Sequence, residues 1–247
     1  MQMDMSRVFK AAPSEEIMIR KERDALILSF PRPVLTLSWA VLNGGFCRAD
    51  HILNHQVHIG DAAFIADPEL WLQKQVQRRK LHGRTVALVT GVAMTSLVQF
   101  SSRHGAAEVT CFATVGSANA LSAGDAASFN GDAIACPHTI NIILLVRPGL
   151  RQEAMVEAVQ IATEGRVRAL YESGVLSSWS TLRATGTGTD CIAVASLGEP
   201  ESRYCGKHTK LGELLGLASY TSVKKGVAAS RHRPMNSDRE DLARSRS

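Results

Sequence analysis

The sequence has no apolar run long enough to cross a membrane. No uninterrupted apolar segment is longer than Ile142 to Val146, far short of the roughly 20 residues that span a bilayer. The first 20 residues carry charges throughout and lack the apolar core of a secretory signal. These absences predict a chain without a membrane span or a secretory leader.

Cysteines are few and widely spaced. The five cysteines are odd in number and form no CxxC pair. A zinc ribbon and a disulfide framework are therefore both unsupported. Unpaired cysteines of this kind indicate a reducing compartment, and we expect the protein in the cytoplasm.

Aromatic residues are scarce, at 5% of the chain, which argues against a stacking platform for nucleic acid. The net charge of +5 does not reverse this conclusion, because residues 224–247 alone carry +4 and residues 25–223 only +1. The excess charge lies in a polar terminal segment that is typical of disorder. Nucleic acid is not the expected partner.

Short apolar runs alternate with helix-like stretches along the rest of the chain. This pattern predicts the α/β class, as one layered domain with a mixed β-sheet flanked by helices. We expect a flexible lead-in over 1–23, the domain over 24–228 and a dispensable basic tail over 229–247. The predicted strands are 25–30 and 34–41 (joined by a tight turn), 85–90, 109–115, 140–146 and 192–197. Four helices are predicted: one that begins near residue 68, one over 96–104, a long one after Pro148-Gly149 and one over 211–223.

Four polar segments are poorly explained by core building. TVGSANA follows a predicted strand, and its small residues let backbone N–H groups converge on a ligand. HTINIILLV places two polar side chains on one face at the start of a strand. The candidate substrate-binding residues in these two segments are Thr114, Gly116, Asn119 and Thr139, and Asn141 is a candidate catalytic residue that could steady an oxyanion.

The other two segments supply the remaining candidates. TGTGTD ends in a carboxylate that enters an apolar strand and so needs a partner; Asp190 is a candidate base, acid or orienting group. In GKHTK, two lysines and a helix N-terminus favour an anionic group, and His208 is a candidate for proton transfer. The candidate binding residues here are Gly186, Thr187, Gly188, Thr189, Lys207 and Thr209.

Two further patterns are discounted. Asp50, His51, His55 and His58 resemble metal ligands, but there is no HExxH glutamate and no obvious third ligand, so no metal is predicted. Ser96 lacks the GxSxG elbow of α/β-hydrolases. Phosphate-binding motifs are also absent, which argues against a nucleotide-handling enzyme, and no cofactor is predicted.

In order along the chain, LSWAVLNGG, ILNHQV, TVGSANA, HTINIILLV, TGTGTD and GKHTKLGELLG resemble the adenosylcobinamide amidohydrolase family of corrinoid salvage. The resemblance extends from Leu26 to Val227. It implies a small-molecule corrinoid substrate and hydrolysis of the amide between the corrin propionyl side chain and aminopropanol, giving adenosylcobyric acid. A homo-oligomer is compatible with the sequence.

The mechanism expected from this resemblance is direct attack by water, with Asp190 as base or orienting group and His208 as proton carrier. A nucleophilic Thr139 or Thr189 is the second mechanism, and a non-catalytic corrinoid carrier is the rival function. The four polar segments should line one cleft at a sheet edge. Two of them precede their strands, so those strands must run antiparallel to their neighbours.

Overall fold

One large mixed sheet organises the chain. The computed structural model describes residues 16–58, 60–126 and 139–231. Eight strands form the sheet in the order β4-β3-β2-β11-β8-β6-β5, with β1 paired to the first half of β2. Strands β3 and β4 are parallel, as are β8 and β11, and the other neighbours are antiparallel. The predicted α/β class is confirmed.

The elements have the following bounds. The strands are β1 Met18–Lys21, β2 Ala25–Ser38, β3 Gly45–Gln56, β4 Thr85–Thr90, β5 Val98–His104, β6 Ala107–Val115, β7 Ala120–Leu121, β8 Ile140–Arg147, β9 Gly149–Leu150, β10 Gly186–Thr187, β11 Cys191–Ser196 and β12 Pro200–Ser202. The helices are α1 Ala62–Ala66, α2 Pro68–Arg78, α3 Gln152–Glu172 and α4 Lys210–Arg231, with a 3-10 turn at Met94–Ser96. Two ribbons, β7 with β10 and β9 with β12, lie outside the main sheet.

The large sheet bends back on itself along the long strand β2, whose pairing with β3 shifts register between Ser29 and Val34. One buried cluster joins residues of β2, β3 and β4 to residues of β6, β8 and β11, so the two halves of the sheet pack face to face. A second cluster packs α3 and α4 on the outside of β6, β8 and β11, and a third packs α2 on β2, β3 and β4. Two sheet layers therefore lie between two helix layers.

The segment 96–104, predicted as a helix, is mostly strand β5. Its side chains alternate in exposure from Val98 onward, which is the period of a strand at the edge of a sheet. Gly105 adopts a positive φ of 58° and turns the chain into β6. The predicted helix over 96–104 is therefore wrong.

The start of the chain also differs from the prediction. Residues 25–38 form one continuous strand rather than two joined by a turn, and residues 45–56 form a strand that the sequence reading did not contain. Strand β3 escaped detection because Arg48, Asp50 and His51 interrupt its apolar residues, while β2 and β4 hold it by backbone hydrogen bonds on both sides. Strand β1 lies within the segment predicted as a flexible lead-in. The predicted tail lies almost entirely outside the described residues.

Candidate active site

Three of the four polar segments meet at one edge of the sheet. Strand β6 ends there, and β8 and β11 begin there, because β6 is antiparallel to β8 and β8 is parallel to β11. Thr114 pairs with Asn141 across β6 and β8, and Asn141 pairs with Cys191 across β8 and β11. Each of β8 and β11 thus has one antiparallel neighbour, β6 and β2, but the two strands run parallel to each other, so the expectation of antiparallel neighbours holds only in part.

A short ribbon joins the segments beyond the strand ends. Strand β7, which follows Asn119, pairs antiparallel with β10, so Ala120 lies opposite Thr187. The N–H of Gly116 donates to the carbonyl of Thr139 at 3.0 Å. TVGSANA, the start of HTINIILLV and TGTGTD therefore form one hydrogen-bonded unit.

The carboxylate of Asp190 fixes this unit and has no vacant acceptor position. Oδ1 accepts from the N–H of Ile140 at 3.1 Å and from the hydroxyl of Thr187, and Oδ2 accepts from the N–H of Thr187 at 2.9 Å. Oδ2 also pairs with Nη1 of Arg166 at 2.8 Å. A carboxylate offers about four lone-pair positions, and all four are used. The geometry favours an orienting role for Asp190 over that of a base.

Arg166 is a partner that the sequence reading missed. It lies on α3, far from TGTGTD in the chain, and its side chain is only 11% exposed beside the 8% of Asp190. The sequence did hint at such a partner, because a carboxylate that enters an apolar strand requires a counter-charge. Gly186 makes the pair possible: a Cβ there would lie 2.2 Å from Oδ2 of Asp190.

Asn141 lies between the two halves of the sheet, where its amide is buried and oriented. Its Nδ2 donates to the carbonyl of Val89 at 2.9 Å and to Oδ1 of Asn54 at 2.8 Å. The Val89 carbonyl can only accept, so it fixes the amide orientation. Oδ1 of Asn141 is buried and has no hydrogen-bond partner among the described residues. Asn141 therefore offers an acceptor, whereas the oxyanion role predicted from the sequence requires a donor.

Asn54 completes this polar cluster, and it too was missed as a site residue. Its Nδ2 donates to Oγ1 of Thr114 at 3.1 Å, which links β3 to β6 across the fold. Asn54 belongs to the ILNHQV segment, where it follows two apolar residues and is itself buried. A buried amide in an apolar run needs partners. That signal was available, but its partners lie in strands that only the folded sheet brings near.

The hydroxyl and thiol groups at this edge are poorly activated. Oγ1 of Thr139 donates to the carbonyl of Thr189 at 2.7 Å, so its proton faces an acceptor that cannot take it up. Burial raises the pKa of Cys191, next to Asp190, to about 12, so this thiol stays protonated near neutral pH. These groups support binding better than nucleophilic attack.

The fourth segment lies elsewhere. Lys207 pairs with Glu164 of α3 at 2.6 Å, and Thr209 caps α4 by accepting from the N–H of Gly212. His208 is exposed and lies beside Gly206, which approaches Glu157. Glu157 is nine residues from Arg166 on α3, or about 13 Å along the helix axis at 1.5 Å per residue. The structure does not bring His208 to Asp190.

One of the residues discounted as metal ligands is fully engaged in other contacts. His51 bonds to Oγ of Ser29 and to the carbonyl of His82, and both of its ring nitrogens are used. Within residues 16–58, 60–126 and 139–231, no group of three or more His, Cys, Asp or Glu side chains could hold a metal ion. No described helix is long and apolar enough to cross a membrane.

Comparison with known proteins identifies the family. The model of the adenosylcobinamide amidohydrolase family matches residues 9–234. The chain belongs to this family. An adenosylcobinamide amidohydrolase of Methanosarcina mazei is 28% identical over 75% of this chain and 86% of its own. An uncharacterized protein of Methanocaldococcus jannaschii is 27% identical over 90% and 93% of the two chains.

Solved structures are more distant. A Burkholderia sp. beta-aminopeptidase covers 90% of this chain and 81% of its own, with 11% identity and a TM-score of 0.42. A protein of Pyrococcus horikoshii OT3 has 9% identity and the same TM-score, and covers 88% and 82% of the two chains. Similarity at this level assigns neither fold nor activity.

Proposed function

We propose that this protein hydrolyses the amide that joins the corrin propionyl side chain to aminopropanol in adenosylcobinamide, and so releases adenosylcobyric acid for corrinoid salvage. The observation that carries the proposal is the family match over residues 9–234. It is supported by the convergence of three family-like segments at one sheet edge. The family and the Methanosarcina mazei relative support an amidohydrolase at the coarse level.

The proposed reaction is direct attack by water. Oxygen of water bonds to the amide carbon and the carbon–nitrogen bond breaks. One proton of water goes to the departing nitrogen and gives the free amine, and the other stays with the carboxylic acid. Amide hydrolysis of this kind requires an oriented water, stabilisation of the oxyanion and protonation of the amine. The protein must supply the first two from groups that it already holds in place.

We assign the water to Asn141. Oδ1 of Asn141 is a buried acceptor without a partner among the described residues, and a water molecule most simply satisfies such an atom. Asn54 and the Val89 carbonyl accept from Nδ2 of Asn141 and so fix the direction in which this buried oxygen points. The attacking water is thus positioned by an acceptor whose direction is fixed before substrate binds.

The turn 186–189 is the proposed oxyanion site. The N–H of Thr187 is already used by Asp190, and we assign the N–H groups of Gly188 and Thr189 to the substrate. Asp190 and Arg166 hold this turn against the start of β8. In this proposal Asp190 is an orienting residue, and His208 has no role in the chemical step.

The test is incubation of the purified protein with adenosylcobinamide, with and without a chelator, followed by mass analysis of the corrinoid. Hydrolysis gives adenosylcobyric acid and free aminopropanol. A non-catalytic carrier would return the bound substrate unchanged, and that result would refute the proposal. A covalent acyl-enzyme trapped on Thr139 or Thr189 would favour the nucleophilic mechanism over attack by water.

A further inference from the structure

Two exposed tryptophans lie beside the candidate site. The chain has three tryptophans, and Trp39 and Trp179 are 50% and 59% exposed. Trp71, in contrast, packs edge-on against His55 and Phe64. A large aromatic ring left in water forgoes the gain of burial, and exposed rings near a site commonly mark a binding surface.

Both tryptophans are held to the edge by hydrogen bonds. The indole N–H of Trp39 donates to the backbone carbonyl of Asp190. The backbone N–H of Trp179 donates to Oγ of Ser177 at 3.0 Å. The neighbouring Ser178 donates twice to the carbonyl of Ala120, at 2.8 Å from its N–H and 2.9 Å from its hydroxyl. Ala120 lies opposite Thr187 in the ribbon of β7 and β10. The rings are therefore presented to solvent from anchored backbone.

The apolar surface continues past Trp39. Phe46, also exposed, pairs in register with Leu37, two residues before Trp39, and so shares its side of the hairpin between β2 and β3. A flat, partly apolar ligand could lie across such a surface while its polar rim reaches the edge with Asp190. The surface adjoins the candidate site directly, because Trp39 contacts Asp190.

We propose that Trp39 and Trp179 form the surface on which the corrin macrocycle of the substrate lies. This inference rests on the proposed function. The corrin has a broad apolar face, a rim of amides and a cationic metal centre. Indole offers a large apolar face, and tryptophan is the side chain whose ring attracts cations best. The body of the chain, at +1 over residues 25–223, has no strong field to repel such a ligand.

Equilibrium dialysis against adenosylcobinamide, followed by corrin absorbance, measures binding separately from turnover. Trp39→Ala and Trp179→Ala should each raise Kd about tenfold, from the lost burial of one indole. Trp39→Phe and Trp179→Phe should raise Kd by less than the alanine variants, because a flat apolar ring remains. Val156→Ala is the control, because Val156 is exposed near the start of α3, ten residues before Arg166. This variant should bind and hydrolyse the substrate as the wild type does.

The outcomes separate the two proposals. A wild type that hydrolyses the substrate, with Kd unchanged in both alanine variants, would overturn the tryptophan surface and leave the proposed function intact. A wild type that neither binds nor hydrolyses adenosylcobinamide would overturn both. If circular dichroism shows that an alanine variant does not fold, Trp39→Gln and Trp179→Gln provide the same comparison with a longer polar side chain.

Discussion

Removal of one partner of the Arg166–Asp190 pair should destabilise the protein and misplace the candidate site. Arg166→Met keeps much of the side-chain length but leaves the carboxylate 8% exposed and without its counter-charge. Loss of one partner of a buried pair costs about 3–5 kcal/mol, and the lower end applies because neither group is fully buried. For a chain of this length, about 3 kcal/mol lowers Tm by about 6–12 °C. Differential scanning calorimetry measures the shift.

A second ion pair on the same helix is the matched control. Arg168 pairs with Glu172 at 2.8 Å, but its side chain is 67% exposed. Arg168→Met should therefore lower Tm much less than Arg166→Met does, because solvent screens an exposed pair. The double variant Arg166→Met with Asp190→Asn should be more stable than Arg166→Met alone, because it leaves no uncompensated charge. Equal Tm values for Arg166→Met and Arg168→Met would refute the account of this pair.

Three further outcomes are expected. Gly186→Ala should lose most hydrolytic activity because its Cβ would lie 2.2 Å from Asp190, whereas Gly188→Ala, whose Cβ would come no closer than 3.6 Å to any neighbour, should retain most of it; steady-state rates decide. His208→Ala should keep most of the wild-type rate because His208 is exposed and remote from Asp190, and a near-complete loss would restore it as proton carrier. Burial holds the pKa of His55 below its ordinary value of 6.5, so the unfolded chain binds the proton more readily than the folded protein does. The free energy of unfolding should therefore be constant above pH 6.5 and fall below it. Urea midpoints measured across this range should fall less in His55→Phe.

The sequence was sufficient to predict the class of fold and the meeting of three of the four polar segments at one sheet edge. Buried strands such as Thr85–Thr90 were readable because continuous apolar runs bounded by polar residues have few other interpretations. Strand β3 was not, because polar residues interrupt its apolar pattern and its neighbours hold it through backbone groups. Local patterns report burial, but they do not report pairing.

The site shows the same division. Asp190 was recognisable because a carboxylate before an apolar strand needs a partner, yet nothing local identified Arg166 as that partner. The donor role predicted for Asn141 depended on which end of its amide is free. The Val89 carbonyl and Asn54 both accept from Nδ2 of Asn141, so its oxygen is the free end. Both groups reach Asn141 only because the sheet bends back on itself. Residue type was predictable, whereas the direction of each hydrogen bond was a property of the fold.

The most direct test compares the wild type with Asn141→Ala on saturating adenosylcobinamide, in water enriched with a heavy oxygen isotope. The account predicts that the wild type forms adenosylcobyric acid carrying one heavy oxygen atom. It predicts that kcat falls at least about a hundredfold in the folded variant, within the range for loss of one positioned catalytic group. Unchanged substrate with the wild type, or an equal rate in the variant, would contradict the claim that this edge hydrolyses the corrinoid amide.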